Sequence, residues 1–373
     1  MSECGGAAPG AFGYIVAALK QWGSEHRAPI SMTYELTPYC NFRCPMCYVH
    51  LTPEQAKARG THLTTEQWLE VIRQSKEMGT LNVNITGGEP LLHPGFWDIY
   101  EATVKSGMFV TLLSNGSLID EAAVERFRAL PPQGIVMSLY GASDETYETM
   151  CGVKDGFTRI DRAIDLLKEA GIRLSLSIVV VRENQGDLEA MLQYADAKGV
   201  RCNHVEGIAS SARGADTHPL ESRLTTEIPE DFWTLERLEK KKHRPMNYAF
   251  ETCSSYGGSA VITWHGHMQF CAYVDKQYAP LTFPLDLRAV WRQMLADTER
   301  IAIPKDCATC EAVNFCEHCP GLLTAESGDP ETVSPAFCER PKKLAALYRR
   351  RLLEAQEAQS GSETTQKAED SVK

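Results

Sequence analysis

Short apolar strands alternate with amphipathic helices along the first half of the chain. Apolar runs that alternate or are rich in β-branched residues predict strands, and longer segments with apolar positions three and four residues apart predict helices. After a first helix at 11–22, the predicted strands lie at 30–36, 81–86, 109–114, 134–139, 174–181 and 201–208. The predicted helices between them lie at 64–78, 95–106, 120–129, 157–170 and 186–198.

This alternation implies βαβ units and a parallel sheet. Six units fall short of the eight that close a TIM barrel. The sequence therefore predicts an α/β fold, a partial (β/α)6 TIM-like barrel. Ligands of parallel α/β folds bind at the carboxyl ends of the strands. Residues that follow those ends are the first candidates for a functional site.

The alternation stops after the sixth unit. Residues 209–248 are polar and contain Pro219, Pro229 and Pro245, and a cysteine-rich segment with short strands begins at Cys253. The predicted organisation is an N-terminal extension at 1–29, the barrel at 30–225 and a linker with a bridging helix at 226–248. A small cysteine-rich domain at 249–345 follows, and 346–373 is expected to be the end of a helix and a disordered tail.

Composition and charge narrow the function classes. The 373 residues are 43% hydrophobic, enough for a proper core. A net charge of −11 disfavours a nucleic-acid partner. A run of about 18 apolar residues is missing, so no membrane span is expected, and the lack of a secretory signal favours the cytoplasm. Thirteen cysteines in a cytoplasmic chain indicate metal ligation rather than disulfides.

The first candidate site follows the first strand. Cys40, Cys44 and Cys47 form the pattern Cys-x3-Cys-x2-Cys. Three thiolates on one loop can hold three corners of a cubic iron–sulfur cluster, which normally takes four cysteine ligands. One iron would stay open for another ligand. A zinc site or a redox cysteine cluster is the alternative.

This spacing, followed by the aromatic Tyr48, resembles the signature of the radical S-adenosylmethionine (SAM) enzymes. The resemblance implies that the amino and carboxylate groups of SAM occupy the open iron, and that the reduced cluster cleaves SAM to a 5′-deoxyadenosyl radical. It also implies that Tyr48 contacts the adenine. After the second strand, Gly87-Gly88-Glu89-Pro90 resembles the family's GGEP motif, which holds the methionine amino group of SAM.

Further SAM contacts are expected at the ends of the next strands. Ser114, Asn115 and Ser138 carry short polar side chains suited to the ribose and the carboxylate. The family often has Asp where this chain has Tyr140, so no carboxylate role is carried over to that position. Arg159 could pair with the SAM carboxylate, and a solvated helix arginine is the alternative reading.

The later cysteines resemble the SPASM domain, the seven-cysteine C-terminal extension of many radical SAM enzymes, with Gly266 before the second of the seven. That resemblance implies two auxiliary [4Fe–4S] clusters beside the SAM-binding one, three in all. It assigns Cys253, Cys271 and Cys319 to the first auxiliary cluster and Cys307, Cys310, Cys316 and Cys338 to the second. One departure is that two residues, where the family usually has three, separate Cys316 from Cys319.

Seven cysteines cannot supply eight ligands, so one iron of the first auxiliary cluster would take water, substrate or a side chain such as Asp275 or His267. Zinc is the rival for this region, but paired zinc knuckles usually need a longer separation than the five residues between Cys310 and Cys316. Cys4, Cys151 and Cys202 match no ligand pattern. Cys151 and Cys202 are expected to be small buried hydrophobes.

The resulting hypothesis is a radical SAM enzyme that abstracts hydrogen from a ribosomally made peptide or protein, to form a crosslink or thioether, an epimer or an oxidised residue. A sugar or tetrapyrrole substrate is the alternative, and an iron–sulfur electron carrier without SAM chemistry is the alternative of another class. The expected partners are an electron donor such as a flavodoxin or ferredoxin and, because little sequence precedes the first strand, a separate leader-binding protein. The sequence identifies neither the catalytic residue nor the bond formed.

Overall fold

The computed structural model describes residues 11–370 except 206–207, 213–214, 216, 225–229, 231–232, 243–247, 251–252, 254, 275–277 and 317. The chain divides into two compact units. The first contains Met1–Thr225 and Ser254–Arg300, and the second contains Thr226–Cys253 and Ile301–Lys373. The first unit therefore includes part of the segment in which the cysteine-rich domain was expected. The predicted domain boundaries, which follow motifs rather than compactness, stay predictions.

In the described part of the first unit, one sheet of nine strands has the order β6-β5-β4-β3-β2-β1-β7-β8-β9. Strands β1 to β7 pair in parallel, and β8 and β9 add antiparallel pairs. The strands are β1 Ser31–Glu35, β2 Asn82–Thr86, β3 Phe109–Ser114, β4 Gly134–Leu139, β5 Leu174–Val179, β6 Cys202–Val205, β7 Ser259–Ile262, β8 His267–Gln269 and β9 Tyr278–Pro280.

Helices connect the parallel strands. Those of the first unit are α1 Ala11–His26, α2 Pro53–Arg59, α3 Thr65–Glu77, α4 Phe96–Lys105, α5 Glu121–Ala129, α6 Asp144–Cys151, α7 Gly156–Glu169, α8 Leu188–Ala197 and α10 Leu287–Thr298. The second unit has α9 Leu235–Lys241, α11 Lys305–Ala308, α12 Pro320–Ser327 and α13 Pro335–Asp370. Short 3-10 turns lie at Pro90–Leu92, Gln185–Asp187, Pro219–Ser222 and Val313–Phe315.

One face of the sheet is apolar and packs against the helices. Tyr34 on β1 is fully buried and its ring lies 5.5 Å from that of Trp68 on α3. Val83 and Ile85 on β2 are also fully buried. Because side chains alternate along a strand, this face forms the core between the sheet and its helices.

The opposite face of the strands is polar. Thr33, Asn84 and Thr111 are register neighbours on β1, β2 and β3, and each is partly exposed. Ser138 on β4 pairs in register with the partly exposed Ser177 on β5. Buried parallel strands are normally apolar on both faces. The polar alternation therefore indicates that this face lines a space for a polar ligand.

The second unit has its own small core. Leu238 on α9 packs with Phe315, Leu344 and Leu347, the last two on α13. Each of these side chains is buried. This helical cluster supports the cysteines that lie around α11 and at the start of α13.

The predicted partial barrel is confirmed, and its strands fall within one or two residues of their expected positions where the chain is described. Among the described helices, α2 and α6 in the barrel and α10, α11 and α12 after Cys253 were not predicted. At the other end, α13 continues to Asp370, where a disordered tail was expected. Among the described residues, no helix combines the length and the apolar character that crossing a membrane requires.

Candidate functional site

The loop that carries Cys40, Cys44 and Cys47 is bound to the loop after β2 by backbone hydrogen bonds. The Gly88 N–H donates to the Thr37 carbonyl at 2.7 Å, and the Glu89 N–H donates to the Tyr39 carbonyl at 2.8 Å. A Cβ at Gly87 would lie 2.5 Å from the Thr37 carbonyl oxygen, and one at Gly88 would overlap the Tyr39 carbonyl. Both glycines are therefore needed for the close approach of the two loops.

Glu89 lies at the centre of this region and is fully buried. Its carboxylate accepts hydrogen bonds from the Ser114 hydroxyl at 2.9 and 3.0 Å and from the Asn115 N–H at 2.8 Å. It also accepts from the Leu91 N–H at 3.2 Å. Burial raises the pKa of the Glu89 carboxyl to about 7 although these hydrogen bonds oppose the shift. The structure thus brings three predicted site residues, Glu89, Ser114 and Asn115, into direct contact.

Asn115 also reaches the cysteine loop. Its side-chain amide lies 3.6 Å from the sulfur of Cys40 and donates to the side-chain oxygen Oδ1 of Asn41 at 2.9 Å. The Phe42 N–H points to the same sulfur at 3.4 Å. Donors of this kind stabilise a thiolate. The end of β3 is therefore joined to the cysteine loop as well as to the loop after β2.

The three cysteines of this loop are close enough to influence one another. Burial raises the pKa of the Cys40 thiol to about 12, and Cys44 and Cys47 add to the rise. Burial likewise raises the pKa of Cys47 to about 11, with Cys44 and Glu35 contributing. Thiols in such surroundings stay protonated until a cation compensates their charge, which is how metal binding is coupled to proton release.

Among the described residues, no three His, Cys, Asp or Glu side chains converge as they would around a single metal ion. A cubane makes a different demand, because each cysteine binds a separate iron atom at a separate corner. Three thiols on one loop that lie close enough to affect one another's pKa, with amide donors directed at Cys40, fit that arrangement.

Cys44 has a neighbour that the sequence did not reveal. Its sulfur lies 3.5 Å from the sulfur of Cys151, the last residue of α6, and the Arg43 N–H donates to the Cys151 carbonyl at 2.9 Å. Cys151 is fully buried, as expected, but it faces the cysteine loop rather than an apolar core. Cys202, also expected to be buried, is partly exposed on β6.

Tyr140 also lies within hydrogen-bonding reach of the Cys44 thiol through its hydroxyl. The hydroxyl is enclosed, and burial raises the pKa of Tyr140 well above its ordinary value, so it stays protonated. Ser138 hydrogen-bonds to Tyr140. The structure therefore joins Ser138 to the cysteine loop through Tyr140, at the position where an Asp was considered.

Two other predicted SAM contacts have different surroundings. The ring of Tyr48 lies 5.0 Å from that of Tyr273, and the Tyr48 carbonyl accepts from the Ala212 N–H at 2.8 Å. Arg159 is exposed on α7 and forms an ion pair at 2.9 Å with Asp155, the residue just before that helix. This pairing favours the solvated reading of Arg159, and its SAM contact stays a prediction.

Four cysteines of the second unit line one cavity. Cys307, Cys310, Cys316 and Cys338 line it together with His318, Phe337 and Lys342. Burial raises the pKa of the Cys307 thiol to about 11, with added contributions from the other three cysteines. The set that the sequence assigned to the second auxiliary cluster thus meets around one space. Four thiols from three short segments around one cavity fit a cysteine-ligated cluster.

The cysteines assigned to the first auxiliary cluster are distributed over both units. Cys271 follows β8 in the first unit, where its carbonyl accepts from the Gln269 side chain at 2.9 Å. Cys253 and Cys319 belong to the second unit. Of the two candidates for the open position, Asp275 lies outside the described residues, and His267 stacks on Tyr278 with 3.9 Å between ring centroids. This assignment stays a prediction.

Comparison with known proteins agrees with these features. Residues 34–195 match the family model of the Radical SAM superfamily. A PqqA peptide cyclase of Granulibacter bethesdensis is 31% identical over 180 residues, which cover 48% of this chain and 47% of that protein. This alignment therefore spans less than half of the relative. A PqqA peptide cyclase of Ruegeria pomeroyi is 26% identical over 357 residues, 86% of this chain and 90% of that protein.

A relative of a different kind matches over a similar length. The AdoMet-dependent heme synthase of Methanosarcina barkeri is 24% identical over 348 residues, 85% of this chain and 98% of that protein. Among solved structures, Streptococcus suis SuiB bound to the precursor peptide SuiA has a TM-score of 0.61 at 17% identity, covering 89% of this chain and 82% of that chain. At this identity the likeness to SuiB concerns the fold alone.

The predicted family is thus confirmed, by the family match as well as by the cysteine loop and its neighbouring strand ends. Residues 34–195 of this chain are a radical SAM domain, which implies a [4Fe–4S] cluster and S-adenosylmethionine as cofactors.

Proposed function

We propose that this chain is a radical SAM enzyme that modifies a ribosomally made peptide or protein. The observation that carries the proposal is the joining of the Cys40–Cys47 loop to Glu89 and Asn115, which assembles a cluster-binding loop and a SAM-binding strand edge in one place. The peptide substrate is supported by the relatives named PqqA peptide cyclase, one of which aligns over 86% of this chain.

In this proposal Cys40, Cys44 and Cys47 hold the SAM-binding cluster. When bound and reduced, such a cluster would supply the electron that cleaves SAM to the 5′-deoxyadenosyl radical, which would abstract hydrogen from the substrate. The residues of the chain bind SAM and fix its orientation. Glu89 receives the SAM amino group, and Ser114 and Asn115 fix the position of the Glu89 carboxylate.

The polar face of the sheet is the proposed substrate surface. Thr33, Asn84 and Thr111 lie side by side on adjacent strands. Hydroxyl and amide side chains both donate and accept hydrogen bonds, and a peptide backbone needs both. The net negative charge of the chain does not oppose the binding of a peptide to this neutral polar surface, whereas it opposes the binding of a nucleic acid.

Two auxiliary clusters complete the proposal. The second is assigned to the four cysteines around the cavity of the second unit, and the first to Cys253, Cys271 and Cys319 with one open position that a substrate thiolate could fill. An electron donor such as a flavodoxin or ferredoxin, a separate leader-binding protein and a cytoplasmic location belong to the same proposal.

A small-molecule substrate is the second candidate, because the heme synthase of Methanosarcina barkeri aligns over 85% of this chain. The deciding experiment incubates the reduced, reconstituted chain and SAM with short Cys-, Thr- or aromatic-rich precursor peptides, and in parallel with tetrapyrroles. We expect a peptide either to lose the mass of two hydrogen atoms or to take up deuterium from the solvent. Turnover of a tetrapyrrole without any change in peptides would contradict the peptide proposal.

The anaerobically reconstituted chain should hold about twelve irons, since three pattern cysteines of the barrel and seven later ones correspond to three four-iron clusters. Replacing Cys307 and Cys310 by Ala should lower the iron content by about four, because both line the same cavity. Iron and zinc are measured together by plasma mass spectrometry. Saturation at about four irons with zinc bound would reject the auxiliary clusters.

Replacing Cys40, Cys44 and Cys47 together by Ala should abolish the release of 5′-deoxyadenosine from SAM after dithionite reduction. The auxiliary clusters should stay visible by electron paramagnetic resonance, because their assigned cysteines lie elsewhere in the chain. Cys202→Ala, on the edge strand β6, is the matched control and should retain release. Continued release by the triple variant would remove this loop from the active site.

The affinity for SAM should fall several-fold between about pH 7.5 and about pH 6 in the wild type. The pKa of Glu89 is raised to about 7 in the free protein, so its carboxylate becomes protonated on this decrease in pH and loses its attraction for the SAM amino group. Binding is measured by the spectral change of the cluster on SAM addition.

Glu89→Gln is the control for the titration of SAM itself. It should bind SAM more weakly than the wild type near pH 7.5 and should show a flatter dependence on pH over the same range. An equal slope in both proteins would mean that the carboxylate does not receive the amino group.

A further inference from the structure

The sulfur of Cys44 has two polar side chains beside it. The Cys44 thiol donates to the Cys151 sulfur at 3.5 Å, and the Tyr140 hydroxyl is within hydrogen-bonding reach. Neither residue belongs to a ligand pattern of the sequence. The sulfur of Cys40 differs, because its neighbours are the Phe42 N–H and the Asn115 side-chain amide.

Hydrogen bonds to their backbone groups hold both Cys151 and Tyr140 in place. The Cys151 carbonyl accepts from the Arg43 N–H at 2.9 Å, and α6 ends directly after it at Gly152, whose φ of 69° is left-handed. The Tyr140 N–H donates to the Tyr147 hydroxyl at 3.1 Å, and the Tyr140 carbonyl accepts from the Asn184 side chain at 2.9 Å. The two side chains are therefore positioned by the barrel and not by the cluster loop alone.

A cluster ligand must be a thiolate, which has lost its own proton and can only accept. Once Cys44 has lost its proton, its bond with Cys151 reverses, so the Cys151 S–H and the Tyr140 O–H become the donors and the Cys44 sulfur the acceptor. Hydrogen bonds to an ionised acceptor are stronger than neutral ones. Hydrogen bonds to the sulfurs are among the factors that set the reduction potential of an iron–sulfur cluster.

We propose that Tyr140 and Cys151 are positioning residues that donate hydrogen bonds to the Cys44 sulfur and raise the reduction potential of the cluster on this loop. Reduction adds negative charge to the cluster, so donors at its sulfur stabilise the reduced form more than the oxidised form. The inference rests on the proposed function, because it requires a SAM-binding cluster on Cys40, Cys44 and Cys47.

The test is a redox titration of the reconstituted full chain, followed by electron paramagnetic resonance. The signal to follow is the one that changes when SAM is added, which separates the SAM-binding cluster from the auxiliary clusters. Tyr140→Phe and Cys151→Ala should each shift its midpoint to more negative potential, and the double variant should shift it further. Cys151→Ser, which keeps a donor, should stay near the wild type.

Cys202→Ala is the control for removing a cysteine elsewhere in the barrel and should leave the midpoint unchanged. An unchanged midpoint in Tyr140→Phe and Cys151→Ala, with iron and SAM bound, would overturn the inference and leave the proposed function standing. An equal shift in Cys202→Ala would also overturn it.

If Cys151→Ala loses iron, it is unsuitable for the titration, and the other two variants then decide. A wild-type midpoint in Tyr140→Phe with a shifted midpoint in Cys151→Ser would count against hydrogen-bond donation to the Cys44 sulfur. If the wild type has no signal that responds to SAM, the proposed function fails first. The two failures are therefore distinguishable.

Discussion

A single buried carboxylate, Glu89, joins the ends of two neighbouring strands next to the cysteine loop. Taking a carboxylate out of water is costly unless hydrogen bonds replace the lost hydration, and each bond to a charged group contributes about 1.5–3 kcal/mol. Glu89 receives these bonds from Ser114, Asn115 and Leu91. Any movement of the end of β3 would leave the carboxylate partly unsatisfied, so the strand ends are held in one arrangement. The cysteine loop depends on that arrangement, because it contacts both Glu89 and Asn115 through hydrogen bonds.

Much of this site could be predicted from the sequence, because its motifs are local. The spacing of Cys40, Cys44 and Cys47 and the position of Glu89 after a strand depend only on short stretches of chain. The contact between Cys44 and Cys151 joins residues 107 positions apart and left no pattern to detect. The family resemblance could suggest Arg159 as a partner of the SAM carboxylate, but it could not reveal that Arg159 forms an ion pair with Asp155.

Two of the helices that were not predicted, α2 and α6, did carry signals. Thr52 and Gln55 form a capping box around Pro53 at the start of α2, and Ser143 caps α6 ahead of an acidic first turn. Both helices are short, with too few turns to show an apolar period clearly. The second of them matters most, because its last residue is Cys151. Ser143 at its start and the left-handed Gly152 at its end mark both limits of this helix, and the second limit fixes the position of Cys151.

The pairing of β1 with β7 has a consequence for how the protein is made. Ser31 pairs with Ser259 and Tyr34 with Ile262, so the neighbour of β1 on this side is synthesised more than two hundred residues after it. During translation the edge of β1 stays open while the other parallel strands are completed, and an open edge invites pairing with other chains. The nascent chain thus needs protection at the strand that leads into its cysteine loop, and the arrival of β7 ends that need.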